Sequence, residues 1–346
     1  LWCMLVEKAS AKSNGSYAAI RTGFPYEALI DLTGAPYKEF NLQDPATKES
    51  IGDGSLWQRL CKYDGYNYVM TLSTSGVDHR TEGGNRSGGG LVAGHAYSLI
   101  GVHEMPSKGL KLCKIRNPWG SFEWDGDWSD KSLLWTEETK REFGWSDEDD
   151  GIFWMSFDDM VSNFVGINVC LVRHTGLGTK VWNEDRKKIC YKFSRSGNGS
   201  EVESVEMFEF KVKEEGAEAF LTVHQPDKRR IGSPDYFDIG VTVLKKNADS
   251  SGYSLVGYLS PSASRQHQLE LNPGVLSVGT YLVVPTSTGC RIQQERVTSG
   301  SRLLSSCQVE RDCVFSVHCD KKFSIKAAEF DRTAFENALK LPTLQD

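Results

Sequence analysis

The residues that could do chemistry lie in one stretch, Gly94 to Gly120, which reads GHAYSLIGVHEMPSKGLKLCKIRNPWG. It carries an imidazole at His95 and a side-chain amide at Asn117. An amide oxygen that accepts from one ring nitrogen fixes the tautomer and the orientation of the imidazole. The other ring nitrogen can then take a proton from a thiol, which is how an imidazole activates a cysteine nucleophile. A core histidine beside a turn asparagine would use the same two residues.

Two elements have to position the pair. Ala96–Val102 and Leu110–Ile115 read as strands, and Met-Pro-Ser-Lys-Gly between them is turn chemistry. Facing residues of an antiparallel pair have a constant total of residue numbers. A turn centred on Pro106 makes that total about 212 and sets His95 opposite Asn117, with Cβ atoms roughly 4.5–5.5 Å apart. Alternation puts Cys113, Ile115 and Asn117 on one face and Lys114 and Arg116 on the other. The hairpin is therefore expected to hold the imidazole against the amide, away from the charges.

The bulk numbers set bounds. A chain of 346 residues carries a prior of two domains. A net charge of −6 and a pI near 5.8 argue against a general nucleic-acid partner. No apolar run approaches the length of a membrane span, and no basic start with a small-residue cleavage site is visible. The nine cysteines are odd in number and include no C-x-x-C pair, so zinc spacing is not supported, even where Cys307, Cys313 and Cys319 fall close together. No nucleotide site is expected. Reduced thiols in an intracellular, cytoplasmic setting are the economical expectation, and the sequons at Asn85 and Asn198 then carry no weight.

Along the chain, Leu1–Tyr17 reads as a helix with Leu1, Leu5, Val6 and Ala9 at helical spacing. Because Leu1 is already inside that helix, something upstream is expected. Asp53–Tyr63 reads as a helix capped by Asp53 or Ser55, with Leu56, Trp57 and Leu60 inward. Tyr68–Thr74 reads as a strand, and Ser75–Gly90 as a Gly/Ser/Asn-rich loop that runs into His95. The tryptophans at 124, 128, 135, 145 and 154 read as packing rather than a ligand box. Gly151–Ser156 reads as a strand, Phe157–Phe164 as a helix with Asp158 and Asp159 in its first turn, and Ile167–Val172 as a strand. Composition shifts at 174–181, a linker. Beyond it about eight short strands alternate with turns, from Lys188–Phe193 to Val314–Asp320, which indicates a β-sandwich, with a short helix at Phe335–Lys340.

The sequence G-H-A-Y-S followed by R-N-P-W-G resembles the histidine and asparagine blocks of the calpains, papain-like cysteine endopeptidases. The likeness continues in WDGDWSD (Trp124–Asp130), in DDGIFWMSFDDM (Asp149–Met160) and upstream in LWCMLVEKASAKSNGSYAAI (Leu1–Ile20). Fragments LTVHQPDKRR, YFDIGVTVLKK and GTYLVVPTSTG resemble the C2-like domain that follows the protease in calpains. The resemblance implies an α+β papain-like second lobe, an antiparallel sheet or barrel with short helices, followed by an all-β C2-like sandwich. It divides the chain into the end of a first lobe (1–30), the second lobe (31–173), the linker (174–181), the sandwich (182–330) and a C-terminal tail (331–346). The implied activity is limited proteolysis of protein substrates through a Cys-His-Asn triad. His95 would serve as general base and then general acid, and Asn117 as its orienter. Trp119 would be the cleft residue that shields the pair, or wedges the cleft shut when calcium is absent.

Two departures follow from the same comparison. The family's nucleophile block reads roughly G-x-C-W, and no cysteine here precedes a tryptophan. Cys3 and Cys61 alone precede His95, and both read as buried structural thiols, Cys61 near a helix end whose dipole raises a thiol pKa. The stretch is therefore expected to be inactive alone, with a first lobe supplying the cysteine and the oxyanion-hole glutamine. The second departure concerns calcium. Glu123, Asp130 and Asp150 match the second-lobe calcium ligands, but Ile152 replaces a glutamate, which should weaken a site that wants six to eight oxygens. Glu148 or Asp147 would be the compensating groups, and a solvated acidic loop explains the same residues. This departure resembles the less conventional calpains, and no EF-hand loop is present. A catalytically dead scaffold or regulator remains an alternative. So does a lipid- or protein-binding sandwich, whose basic cluster Lys228, Arg229 and Arg230 would meet anionic phospholipid or the acidic lobe.

Overall fold

A computed structural model describes residues 2–21, 23–76, 89–172, 182–196, 199–228, 235–247, 253–289, 292 and 309–339. Most of the loop at 75–90, the linker at 174–181, both sequons, Cys307, and Arg229 and Arg230 of the basic cluster lie outside the described residues. The chain forms two compact units, Gly23–Lys180, and Val181–Asp346 grouped with Leu1–Thr22.

Helix α1 (Trp2–Ser13) opens the chain. The first unit then runs α2 (Pro25–Thr33), β1 (Tyr37–Asn41), α3 (Pro45–Gly52), α4 (Ser55–Gly65), β2 (Val69–Ser73), β3 (Ala96–Met105), β4 (Leu110–Arg116), α5 (Glu137–Phe143), β5 (Ile152–Ser156), α6 (Phe157–Asn163) and β6 (Gly166–Cys170). Its six strands form one antiparallel sheet in the order β1-β6-β2-β3-β4-β5, open between β1 and β5 among the described residues. Pro at the first position starts α2, and Gly34 in the left-handed region ends it. Helix α4 buries Leu56, Trp57 and Leu60, the face its spacing implies. Its N-cap is Gly54, and the Asp53 carboxylate accepts the Ser55 N–H instead of capping directly. Ser156 caps α6 by accepting the Asp159 N–H, with Asp158 and Asp159 at the positive end of the helix dipole.

Four of the five tryptophans at 124, 128, 135, 145 and 154 pack together. Trp135 and Trp154 are buried with Leu112 and Phe143, and Trp128 and Trp145 lie against them. This satellite core anchors the long connection from β4 to β5, which has little regular structure of its own and carries Asn117 at its start.

The second unit is sheet-rich. Its strands are β7 (Asn183–Ser196), β8 (Gly199–Ser204), β9 (Met207–Val212), β10 (Ala217–His224), β11 (Asp238–Lys246), β12 (Tyr253–Ala263), β13 (Gln266–Leu276), β14 (Gly279–Thr286), β15 (Val309–Cys319) and β16 (Phe323–Ala328), and α7 (Arg332–Leu339) follows. They form two antiparallel five-stranded sheets, β13-β10-β15-β7-β8 and β12-β11-β14-β9-β16. Alternate residues of both sheets meet in one core: Tyr191, Leu221 and Phe315 from the first, Phe210, Val241 and Val283 from the second. Phe208 and Phe315 stack across it with ring centroids 5.0 Å apart. Ten strands exceed the eight expected; β8 and β16 are the additions.

Candidate active site

The β3–β4 hairpin is where the expected pair has to form, and its register differs from the assumed one. Paired residue numbers total 215 from Met105–Leu110 back to Gly101–Lys114, because the turn is a short 3-10 segment at Pro106–Lys108 closed by Gly109. An odd total would send His95 and Asn117 to opposite faces of the sheet. A β-bulge at Ile100 corrects this: at Leu99–Ile115 and Ser98–Arg116 the total is 214. Continued past the last pair, that register sets Asn117 across from Tyr97 and leaves His95 diagonal to it on the same face. A diagonal partner is within reach of long or aromatic side chains. His95 Nε2 lies 2.9 Å from Asn117 Oδ1.

The hydrogen bonds around Asn117 decide which way protons point. The Trp119 N–H donates to Oδ1 (3.1 Å), and Nδ2 donates to the Phe122 carbonyl (3.2 Å). A backbone donor and a backbone acceptor thus fix the amide orientation, which leaves Oδ1 as the atom facing the imidazole. His95 Nε2 must then be the donor, and Nδ1 becomes the basic ring nitrogen. The Asn117 backbone is also engaged: its N–H donates to the Gly151 carbonyl (2.8 Å) and its carbonyl accepts the Gly120 N–H (3.0 Å). Asn117 is wholly buried. Phe122 holds its acceptor carbonyl in place at a φ of 63°, a left-handed conformation costly for a non-glycine residue.

Thr74 holds the backbone of His95, which lies just beyond the final β2–β3 pair, Ser73–Ala96. The Thr74 Oγ1 accepts the His95 N–H (2.9 Å) and donates to the Val92 carbonyl (2.7 Å), while the Thr74 N–H donates to the His95 carbonyl (3.0 Å). The ring sits between two aromatics. Tyr97 meets it edge-on (centroids 5.0 Å apart), and the Tyr97 hydroxyl accepts the Val92 N–H. Trp119 covers it at 4.3 Å and is itself 49% exposed, so the imidazole lies under a lid that faces solvent. Sequence reasoning did not reach Thr74, Tyr97, Phe122 or Gly151. Thr74 contacts His95 across a loop, and no alternation marks it.

The cysteines are placed differently from expectation in one case. Cys61 is partly buried, and its thiol is pushed up by burial and by the charges of Glu104 and Asp64. Cys3 is exposed on α1, together with Trp2, Met4 and Leu5, rather than buried. Burial also raises the Cys113 thiol in β4.

Of the carboxylates matched to calcium, Glu123 and Asp130 come together. Burial and the neighbouring Glu123, with Asp150 and Asp147 behind it, push the Asp130 carboxyl up to about 7. Backbone amides engage one oxygen of Glu123 and one of Asp150. Glu123 Oε1 accepts the Gly151 N–H and Asp150 Oδ1 accepts the Ile152 N–H, both at 2.8 Å. Among the described residues no three acidic, histidine or cysteine side chains converge as a metal cage would require. The residues as arranged do not fit a calcium ion, although calcium regulation is general in the family these residues resemble.

Residues 1–171 match the model of the calpain family cysteine proteases. The chain is 39% identical over 175 residues to the calpain-type cysteine protease ADL1 of rice, covering 50% of this chain and 8% of that protein. It is 34% identical over 315 residues to the calpain-type cysteine protease DEK1 of Arabidopsis, covering 83% of this chain and 14% of that protein. It is 30% identical over 318 residues to mouse calpain-5, again 83% of this chain and 49% of the relative. The chain thus spans half or less of the length of these relatives. With a buried asparagine presented to a histidine beside N-P-W, and with these matches, the chain belongs to the calpain family of cysteine proteases.

Proposed function

We propose that this chain is the histidine–asparagine half of a calpain-type thiol endopeptidase, joined to a C2-like sandwich. The observation that carries this reading is the 2.9 Å contact from His95 Nε2 to Asn117 Oδ1, with the amide orientation fixed by Trp119 N–H and the Phe122 carbonyl. A cysteine from a first lobe would give its proton to His95 Nδ1, and the thiolate would attack the scissile carbonyl carbon of a protein substrate. The imidazolium, held by Asn117, would then protonate the leaving amine, and water would hydrolyse the acyl-enzyme with His95 again as base. Trp119 would keep bulk water from the His95–Asn117 bond.

Cys61 is unsuited to the nucleophile's role, since its thiol is raised rather than lowered. The sandwich would be an accessory module, and protein substrates follow from the family. Unbridged thiols at Cys61, Cys113, Cys170 and Cys313 suit a reducing, cytoplasmic setting. The test is a peptidase assay on the chain alone and on the chain joined to a cysteine-bearing calpain first lobe. The expected result is no turnover alone, and alkylation-sensitive cleavage by the joined form that His95→Ala abolishes. Turnover by the chain alone, lost with Cys61→Ala or Cys3→Ala, would overturn the reading.

A further inference from the structure

Glu123 lies immediately after Phe122, the residue whose carbonyl receives the Asn117 amide. Its carboxylate accepts the Gly151 N–H at 2.8 Å, and the Gly151 carbonyl accepts the Asn117 N–H at 2.8 Å. The Gly151 backbone, at the end of the β4–β5 connection, thus links Glu123 to Asn117, both near its start, and Asn117 holds His95. The first bond of this relay is charge-assisted, the stronger kind. The two ends of that connection touch backbone to backbone at this point. Gly151 has a φ of 84°, and a Cβ there would lie 2.7 Å from the Asn117 carbonyl oxygen and 2.8 Å from the Gly120 Cα. On its other side Glu123 is packed against Gly90, where a Cβ would lie 2.2 Å from the Glu123 carbonyl oxygen. Glu123 is therefore clamped at its backbone and fixed at its carboxylate.

A calcium ligand would have to turn its oxygens toward a shared point. Among the described residues no three acidic, histidine or cysteine side chains converge on such a point, and Ile152 offers no oxygen where the family has a glutamate. The side chain of Asp130 completes the contact by hydrogen bonding to Glu123. We infer that Glu123 is a positioning residue for the His95–Asn117 pair, bracing the Gly151 amide without calcium. This rests on the proposed role of that pair.

The experiment uses the full 346-residue chain, labelled with ¹⁵N, as wild type, Glu123→Gln and Glu123→Leu, each with calcium chloride and with chelator. Glutamine keeps an oxygen that can accept the Gly151 N–H but is a poor calcium ligand; leucine keeps the bulk and loses the acceptor. The readouts are the His95 ring ¹⁵N shifts and hydrogen exchange at the Gly151 amide. We expect wild type and Glu123→Gln to agree and to ignore calcium. In Glu123→Leu, Gly151 exchange should rise about tenfold, and the His95 tautomer preference should weaken. Calcium-induced shifts at His95 that vanish in Glu123→Gln would overturn the proposal and restore a metal role. So would a folded Glu123→Leu with the wild-type His95 spectrum. If Glu123→Leu fails to fold, the Glu123→Gln and calcium arms still decide. A wild-type ring without a proton on Nε2 would instead undo the His95–Asn117 pairing and the proposed function with it.

Discussion

The molecule contains two imidazole pairs of equal length and opposite character. His95 Nε2 lies 2.9 Å from Asn117 Oδ1, and in the sheet-rich unit His224 Nε2 lies 2.9 Å from Ser316 Oγ. By residue type alone, His224 and Ser316 match a base with its serine nucleophile. Their surroundings rule that out. Ser316 is wholly buried in the middle of β15. Burial, then the nearby Arg186, His318 and Arg265, press the His224 ring down to about 3, so it stays neutral and is a very weak base. His95 has an amide oxygen as its partner, which favours a ring carrying a proton at Nε2, and a solvent-facing tryptophan above it. A short contact makes a general base only when the partner supports the charged ring and a substrate can reach it.

The largest expected effect breaks this contrast outright. In the form joined to a cysteine-bearing lobe, His95→Ala should cut peptidase kcat/KM by about 10⁴-fold or more, whereas His224→Ala should leave it within about twofold. Next, Asn117→Ala should cost about 10²-fold in kcat through a misplaced imidazole, and should lower stability by about 1–3 kcal/mol because the Phe122 carbonyl and Trp119 N–H lose their partner in a buried setting. Thr74→Val removes the acceptor of the His95 N–H and should destabilise the first unit by about 1–3 kcal/mol; Thr74→Ser, which keeps the hydroxyl, should recover most of that in denaturant melts. A pH dependence tests the other half of the contrast. His224 protonates near its ordinary pKa of 6.5 in the unfolded chain but only near 3 when folded. The unfolded state therefore binds more protons as pH falls, and stability of the sheet-rich unit should decline from about pH 6.5 towards about pH 3. Thermal melts of His224→Gln should show a shallower decline over that window.

The contrast also marks where sequence reasoning reached. Residue types and their parity found the His95–Asn117 pair, and the apolar spacing of α4 and the short strand-like runs at β9, β10 and β15 found elements that pack. The register was out by two to three residues, and the pair survives because the Ile100 bulge restores an even total. Nothing marks Ile100: it is one apolar residue among Leu99, Gly101 and Val102, and a bulge depends on the partner strand. Helix α2 was missed in a segment of mixed composition, α3 in a stretch given no element, and β8, reading GSEVES, has too little apolar alternation to announce itself. Thr74 and Gly151 were illegible for a different reason. Their roles are hydrogen bonds to residues distant in sequence, which propensity and periodicity do not encode. For the same reason the motif match at Glu123 gave no sign of its hydrogen bond to the Gly151 amide.

The account depends on which nitrogen of His95 carries the proton. A long-range ¹H–¹⁵N spectrum of the histidine rings at neutral pH, recorded for wild type and Asn117→Ala, reads this directly. The expected spectrum has the proton on His95 Nε2 in the wild type, with that preference lost in Asn117→Ala. A wild-type ring protonated on Nδ1, or an unchanged ring in Asn117→Ala, would contradict it.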